Sequence, residues 1–294
     1  MKISPYLTYS DRRDKSAAQR PFPRAPRPAP RASSRAFSRL DLLVIIGVVF
    51  FLGAWFAFAR FGERARIKHC AYNLMTLGRA MQSYTDEHND EIPAAYIDLG
   101  TNRVSWDTRL LPYLSPGLRP TTSQYEQRQQ ELALAHWVFC PSDPLLHSGT
   151  PRSYAMAEHN MSLDDWPPRW DSSSGPGLFW DAFWTTNVLT SEEAQAATQN
   201  PDLLPKIRRS DIPVPADTLL LTEYIHRDNS FQGLGYARVG GVGDQRVSFN
   251  GDSHSFHYGK FNYLMVDGHV EWLEGAMTGG ENGRGGIWTL RAGD

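Results

Sequence analysis

Near the C-terminus, five side chains able to move protons or bind metal crowd together: Asp252, His254, His257, Asp267 and His269. If Gly259-Lys260 closes a two-residue hairpin, His257 falls opposite Asn262, His254 opposite Met265, and Asp252 opposite Asp267. That register brings Asp252, His254 and Asp267 within reach of one divalent ion, because carboxylate oxygen and imidazole nitrogen are what such ions take. No H-E-x-x-H or EF-hand spacing accompanies the cluster. The simpler reading makes Asp267-Gly268 a turn pair, with His257 and His269 capping loop backbone. No cofactor is expected.

Cys70 and Cys140 are the only cysteines. Outside the cytoplasm a bridge between them is chemically permitted and closes a loop of about 70 residues. Two separate buried thiols fit the spacing equally well. Cys140 stands before Pro141 with no base indicated, and the chain has no G-x-S-x-G elbow, so no catalytic residue is expected. The Gly-rich stretch 233–246 lacks the G-x-G-x-x-G spacing of a dinucleotide site and reads as a flexible surface loop. The formal net charge of −2 gives no reason to expect a nucleic-acid partner.

These residues depend on one long element. Phe37 to Ala59 is almost wholly apolar, and from Leu42 to Ala59 it carries no charge. A hydrocarbon core about 30 Å thick needs roughly 20 apolar helical residues, so residues 37–59 read as one bilayer span. Residues 1–39 hold ten Lys or Arg, from Lys2 to Arg39, against only Asp11 and Asp14, which favours a cytoplasmic N-terminus and an extracytoplasmic body at the inner membrane. Residues 1–36 form a basic arm rich in proline that favours extended backbone. Beyond the span, Ile67, Cys70, Ala71, Leu74, Met75, Leu77, Gly78, Met81 and Tyr84 recur at a helical period. Arg66, Lys68, Asn73, Arg79, Gln82 and Asp86 fall between them. The helix therefore continues over 60–90 as an amphipathic rod, until Asn89 and Pro93 stop it.

Residues 91–278 predict an α+β body with a long helix packed on an antiparallel sheet. SWDTRLLPYL predicts a helix and residues 121–135 a polar surface helix. Trp137–Cys140, Arg152–Met156, Thr218–Tyr224 and His269–Leu273 predict strands. An insertion around 160–205 gathers Trp166, Trp170, Phe179, Trp180, Phe183 and Trp184. These rings either pack a loop or, less simply, form a sugar-stacking surface. Residues 279–294 make a Gly-rich tail, within which Ile287, Trp288 and Leu290 can dock.

Taken in order, these pieces resemble a known family. FSRLDLLVIIGVV at 37–49 resembles the type IV pilin and type II secretion pseudopilin N-terminus. Cys70-Ala71-Tyr72-Asn73-Leu74, Leu110-Leu111-Pro112-Tyr113-Leu114, and Phe139 through Pro144 resemble the pseudopilin-like proteins of planctomycetes and verrucomicrobia. So does a closing signature of His257 followed after nine residues by Asp267-Gly268. The resemblance implies a pilin-like fold and a leader cut between Ala36 and Phe37 by a prepilin peptidase, with methylation of the new terminus. It also implies that Asp41 meets a neighbouring subunit's amino terminus in a filament or pseudopilus. Partners implied are the bilayer, other pilin-like subunits and an assembly platform. An anchored protein with the same fold that never polymerises, with or without a sugar or other ligand, is the alternative.

Overall fold

The computed structural model describes residues 38–100, 102–115, 123–159, 175–231, 234, 236–240, 245, 256–278 and 286–290. By contact the chain divides into residues 1–52 and 53–294, taken separately below. The first unit contributes the opening of helix α1 (Arg39–Glu87). Ser38 caps it: the Asp41 amide donates to Ser38 Oγ at 3.1 Å, and the Ser38 amide donates to Asp41 Oδ2 at 3.0 Å. Such a reciprocal box satisfies amides that the first turn otherwise leaves unbonded. Every large apolar side chain from Leu40 to Leu52 is exposed, Leu40 at 71% and Phe51 at 77%. The helix is long and apolar enough to cross a membrane once.

In the second unit the same helix becomes the spine of the body. Ile67, Cys70, Leu74, Leu77, Met81 and Tyr84 are buried, while Met75 is 41% exposed and Ala71 only half-buried. Asn73, expected on the polar face, is buried instead. Its amide nitrogen donates to the carbonyls of His136 and Phe139, each at 3.0 Å. Those carbonyls lie at the end of α3 (Gln124–Val138), where a helix has no internal donors left. Helix α3 thus runs through Trp137 and Val138, where a strand was expected, and the chain turns extended only at Phe139. At its own C-terminus α1 places Asn89 and Asp90 at φ 55° and 66°, and the Asp90 amide donates back to Thr85 O at 2.8 Å. This is the left-handed cap that asparagine tolerates better than most residues.

Helix α2 (Trp106–Leu114) follows a small sheet of β1 (Tyr96–Leu99), β2 (Asn102–Ser105) and β4 (Phe179–Asp181), ordered β2-β1-β4. Strand β4 comes from the aromatic insertion and leads into α4 (Ala182–Val188) and α5 (Ser191–Gln199). Phe179 and Trp180 are core residues, and Trp184 is half-buried edge-on to Phe179 at 6.1 Å. Of the expected aromatic set only Phe183 is exposed among the described residues; Trp166 and Trp170 lie outside them.

The larger sheet has the order β6-β3-β5-β7-β8. Its strands are β3 (Tyr154–Ala157), β5 (Leu219–Glu223), β6 (Arg238–Val239), β7 (Lys260–Met265) and β8 (Val270–Glu274). It is mixed, not purely antiparallel, because β6 pairs parallel with β3. β6 rises from the Gly-rich stretch expected to be a surface loop, and Leu234, Ala237 and Val239 there are buried. β5 lies in the middle with all five residues buried, as its unbroken apolar run requires. The expected hairpin at Gly259-Lys260 is not formed. Lys260 opens a single strand to Met265, and the turn is Asp267-Gly268, where Gly268 takes φ 97°. Gly78 lets α1 approach this sheet: a Cβ there would stand 2.9 Å from Leu264 Cδ1. In the tail, Trp288 and Leu290 are buried, and the Trp288 indole donates to Thr278 Oγ1 at 2.8 Å.

Cys70 and Cys140 are joined, with Cα atoms 5.1 Å apart, so α1 is covalently tied to the segment after α3. Closing a loop across a sequence separation of 70 removes unfolded-state entropy worth about 4 kcal/mol on the chain-entropy account. The Cys70→Ala/Cys140→Ala double variant should lose about that much in urea unfolding of the detergent-solubilised chain, followed by tryptophan fluorescence. Asn73→Ala strands two carbonyls and should cost about 1–3 kcal/mol in the same assay, with the bridge intact.

Candidate functional site

A carboxylate, an imidazole and a second carboxylate meet beside the disulfide. Glu63 comes from α1, four residues past Ala59. Glu223 ends β5, where the next ladder position would face Asn262 of β7. Instead of continuing the ladder, its carboxylate takes the Asn262 amide at 2.7 Å and the Asn262 side-chain nitrogen at 2.8 Å. His257 sits in the short turn Phe256–Gly259, just before β7. Its backbone is left-handed at φ 45°, followed by Tyr258 at 59° and Gly259 at 82°. Non-glycine residues held there cost of order 1–3 kcal/mol each and persist only where the surroundings impose them. The Phe256 ring, buried 5.7 Å from that of Phe261, and the Tyr258 hydroxyl, donating to Arg60 O at 3.4 Å, supply part of that constraint.

The turn aims the ring of His257 between the two acids. Nδ1 lies 2.9 Å from Glu63 Oε1, and Nε2 lies 3.0 Å from Glu223 Oε1. Ionised carboxylates only accept, so the ring satisfies both by donating from both nitrogens as an imidazolium. Burial pulls the His257 pKa down, but Glu223 and Glu63 outweigh it and hold it above the ordinary 6.5. Burial likewise pushes the Glu63 carboxyl up, and His257, Arg66 and Ser142 more than reverse that, leaving it below 4.5. Ser142 Oγ donates to Glu63 at 2.9 Å and Arg66 Nε donates to it at 2.8 Å. Cys140 Sγ stands 3.4 Å from His257 Nε2. In this arrangement the ring offers no free lone pair and Ser142 points at a carboxylate, so the cluster holds elements together.

The segment between α3 and β3 carries further buried bonds. Ser153 Oγ donates to Asp143 Oδ2 at 2.7 Å and accepts from the Cys140 amide at 3.0 Å, while His147 Nε2 lies 3.0 Å from Asp143 Oδ2. Serine and histidine both address the aspartate, and not each other, so this is not a nucleophile–base pair. Arg152, fully buried, bonds Asp107 Oδ2 and Asn229 Oδ1 at 2.8 Å each.

The expected site residues therefore separate. His257 joins Glu63 and Glu223, whereas Asp267 sits in the exposed β7–β8 turn and accepts from the His269 amide at 3.0 Å. Asp267-Gly268 is the turn pair that was expected. Without a hairpin at Gly259-Lys260, nothing places Asp267 opposite Asp252. Asp252 and His254, like Ala36 and Phe37, lie outside the described residues. The group of metal-ligating side chains found among the described residues is a different one: Cys70, Cys140, Glu223 and His257. Glu223 and Glu63 were missed by sequence reasoning. An acid closing a fully apolar strand run, Leu-Leu-Leu-Thr-Glu, was the available signal.

Breaking a buried pair by removing one partner costs about 3–5 kcal/mol, and His257→Ala should fall in that range. The pH dependence carries a sign. A raised histidine contributes fully below its unfolded value of 6.5 and loses that contribution as pH rises through the folded value. A lowered glutamate contributes above 4.5 and loses it as pH falls through its folded value. The stability gap between wild type and His257→Asn should thus be widest between 4.5 and 6.5 and shrink on either side. The paired difference is the quantity to measure, since burial lowers His159 and His226 and gives them the opposite slope. A gap that does not change with pH would show that the ring is not charged.

No curated protein and no solved structure matches the chain. A family described as "Protein of unknown function (DUF1559)" has a model that matches residues 60–228, more than half of the sequence. That range contains Glu63, Cys70, Asn73, Cys140, Ser142 and Glu223 and ends before His257. The chain belongs to this DUF1559 family, a group of planctomycete and verrucomicrobial proteins that often carry a pilin-like N-terminus.

Proposed function

We propose that the chain is a non-enzymatic, single-pass membrane protein that serves as a pseudopilin-like structural subunit of a type II secretion or pilus-like assembly. The observation that carries this reading is α1 itself: an opening stretch whose large apolar side chains from Leu40 to Phe56 are exposed, continuing into a stretch that forms the spine of an α+β body. Soluble proteins rarely leave so much contiguous apolar surface in water, and a bilayer or the helices of sister subunits would cover it. On this reading the basic arm stays in the cytoplasm of the inner membrane, and the body lies outside. A prepilin peptidase cuts between Ala36 and Phe37. Asp41 then neutralises the amino terminus of a neighbour during assembly.

One observation favours the second reading, a permanently anchored protein with a pilin-like fold. Asp41 already has local work in the box with Ser38, which any helix start would use. Amino-terminal sequencing and mass spectrometry of the chain extracted from membranes separate the two. The assembly reading expects a methylated Phe37 at the terminus. It also expects that Asp41→Asn still reaches the membrane but no longer cross-links into oligomers. An intact arm, with cross-linking unchanged in Asp41→Asn, would replace it with the anchored reading.

A further inference from the structure

The disulfide, Glu223 and His257 hold more than a structural contact requires. Cys70, Cys140, Glu223 and His257 each offer one ligand atom, all within 4.8 Å of one another, and all four residues are buried. Cys140 Sγ lies 3.4 Å from His257 Nε2 and 3.8 Å from Glu223 Oε1, and Nε2 lies 3.0 Å from Oε1. A tetrahedral zinc ion with bonds of about 2.3 Å to sulfur and about 2.0–2.1 Å to nitrogen and oxygen has ligand-to-ligand edges of about 3.3–3.8 Å, the longest between the two sulfurs. Three edges of such a tetrahedron are therefore already close to size. The surroundings match too. A metal-bound histidine nearly always donates its other nitrogen to a carboxylate, and His257 Nδ1 faces Glu63 Oε1 at 2.9 Å. The second oxygen of Glu223 is fixed by the Asn262 amide at 2.7 Å.

We infer that reducing the Cys70–Cys140 bond turns this cluster into a closed Zn²⁺ site, with two thiolates, His257 Nε2 and Glu223 as its ligands. A phosphine reductant supplies the electron pair that breaks the sulfur–sulfur bond. It becomes a phosphine oxide with oxygen taken from water, and each cysteine is left as a thiol. When Zn²⁺ enters, the two thiol protons and the Nε2 proton pass to solvent, while Nδ1 keeps its proton toward Glu63. Four protein ligands leave no open position, so the site is structural, and the metal takes over the cross-link that the disulfide provided.

The test uses the full chain in detergent, reduced with a phosphine, freed of reductant without air, and titrated with Zn²⁺ or Co²⁺. Expected are one metal per chain with proton release, a tetrahedral Co²⁺ spectrum carrying thiolate charge-transfer bands, and no such binding by the oxidised chain. Glu63→Gln, which leaves every ligand in place, should weaken binding by about 10–100-fold. His257→Ala and Cys70→Ser/Cys140→Ser should abolish it. The inference is overturned if the Cys70→Ser/Cys140→Ser chain binds as tightly as the reduced wild type. It is equally overturned if the oxidised chain gives the same spectrum, or if the reduced chain takes up no metal. Should reduction unfold the body, circular dichroism decides: recovery on adding Zn²⁺ supports the site, and a chain that stays unfolded sinks it.

Discussion

One imidazolium ring shared by two carboxylates sets the register between the long helix and the body. Charge removed from water is costly, and a buried pair repays that only with good geometry and with its remaining groups bonded. Here the condition is met on both sides: Asn262 serves Glu223, while Ser142 and Arg66 serve Glu63. Ridges of Leu and Met packed on a sheet tolerate sliding better than paired charges do. The shared ring is bonded at one position only. Cys70 and Asn73, about two and three turns further along the helix, add a covalent tie and a pair of hydrogen bonds in the same register. Beyond them apolar packing takes over, with Gly78 against Leu264 marking the closest approach.

All of these ties reach the same short stretch of chain. Asn73 holds the end of α3, Cys140 follows it, Ser142 reaches Glu63, and Asp143 is gripped by Ser153. Arg152 then fixes the start of β3 through Asp107 and Asn229. A loop with so many buried polar groups would be expensive if any were left unpaired. Its bonds therefore stand or fall together, which is what makes the segment a rigid bracket between helix and sheet. His257 must accept a left-handed backbone to reach that bracket, and the energy of its two charged bonds offsets the strain.

What the sequence discloses follows from how far apart the partners lie. The buried stripe of α1, the central strand at Leu219–Glu223 and the last strand at Val270–Glu274 are legible because periodicity and runs of apolar residues are local. Glu63 and His257 are 194 residues apart and Glu223 and His257 34 apart, and no local pattern reports such a meeting. Asn73 looked like a surface residue because a polar side chain between apolar ones usually is one. Its carbonyl partners belong to another helix. Trp137–Cys140 has strand-like composition, but the helix before it has no stop signal until Val138 is bonded to Ser153. The hairpin was misplaced because Gly259-Lys260 has turn composition. Gly259 does take positive φ, only as the last of three left-handed residues that lead into a strand.

On the membrane-spanning reading, the position of Glu63 has a further meaning. Leucine and phenylalanine gain as little from a protein core as from lipid when moved between the two, so apolar packing alone does not say where a helix leaves the bilayer. The residues of α1 before Ala59 and those from Ile67 onward are both apolar enough for either environment along one face. A carboxylate bonded to an imidazolium is not: it forms only inside the protein. Placing that bond four residues after the apolar run fixes the boundary to within about one turn, and every other contact of the helix is measured from it.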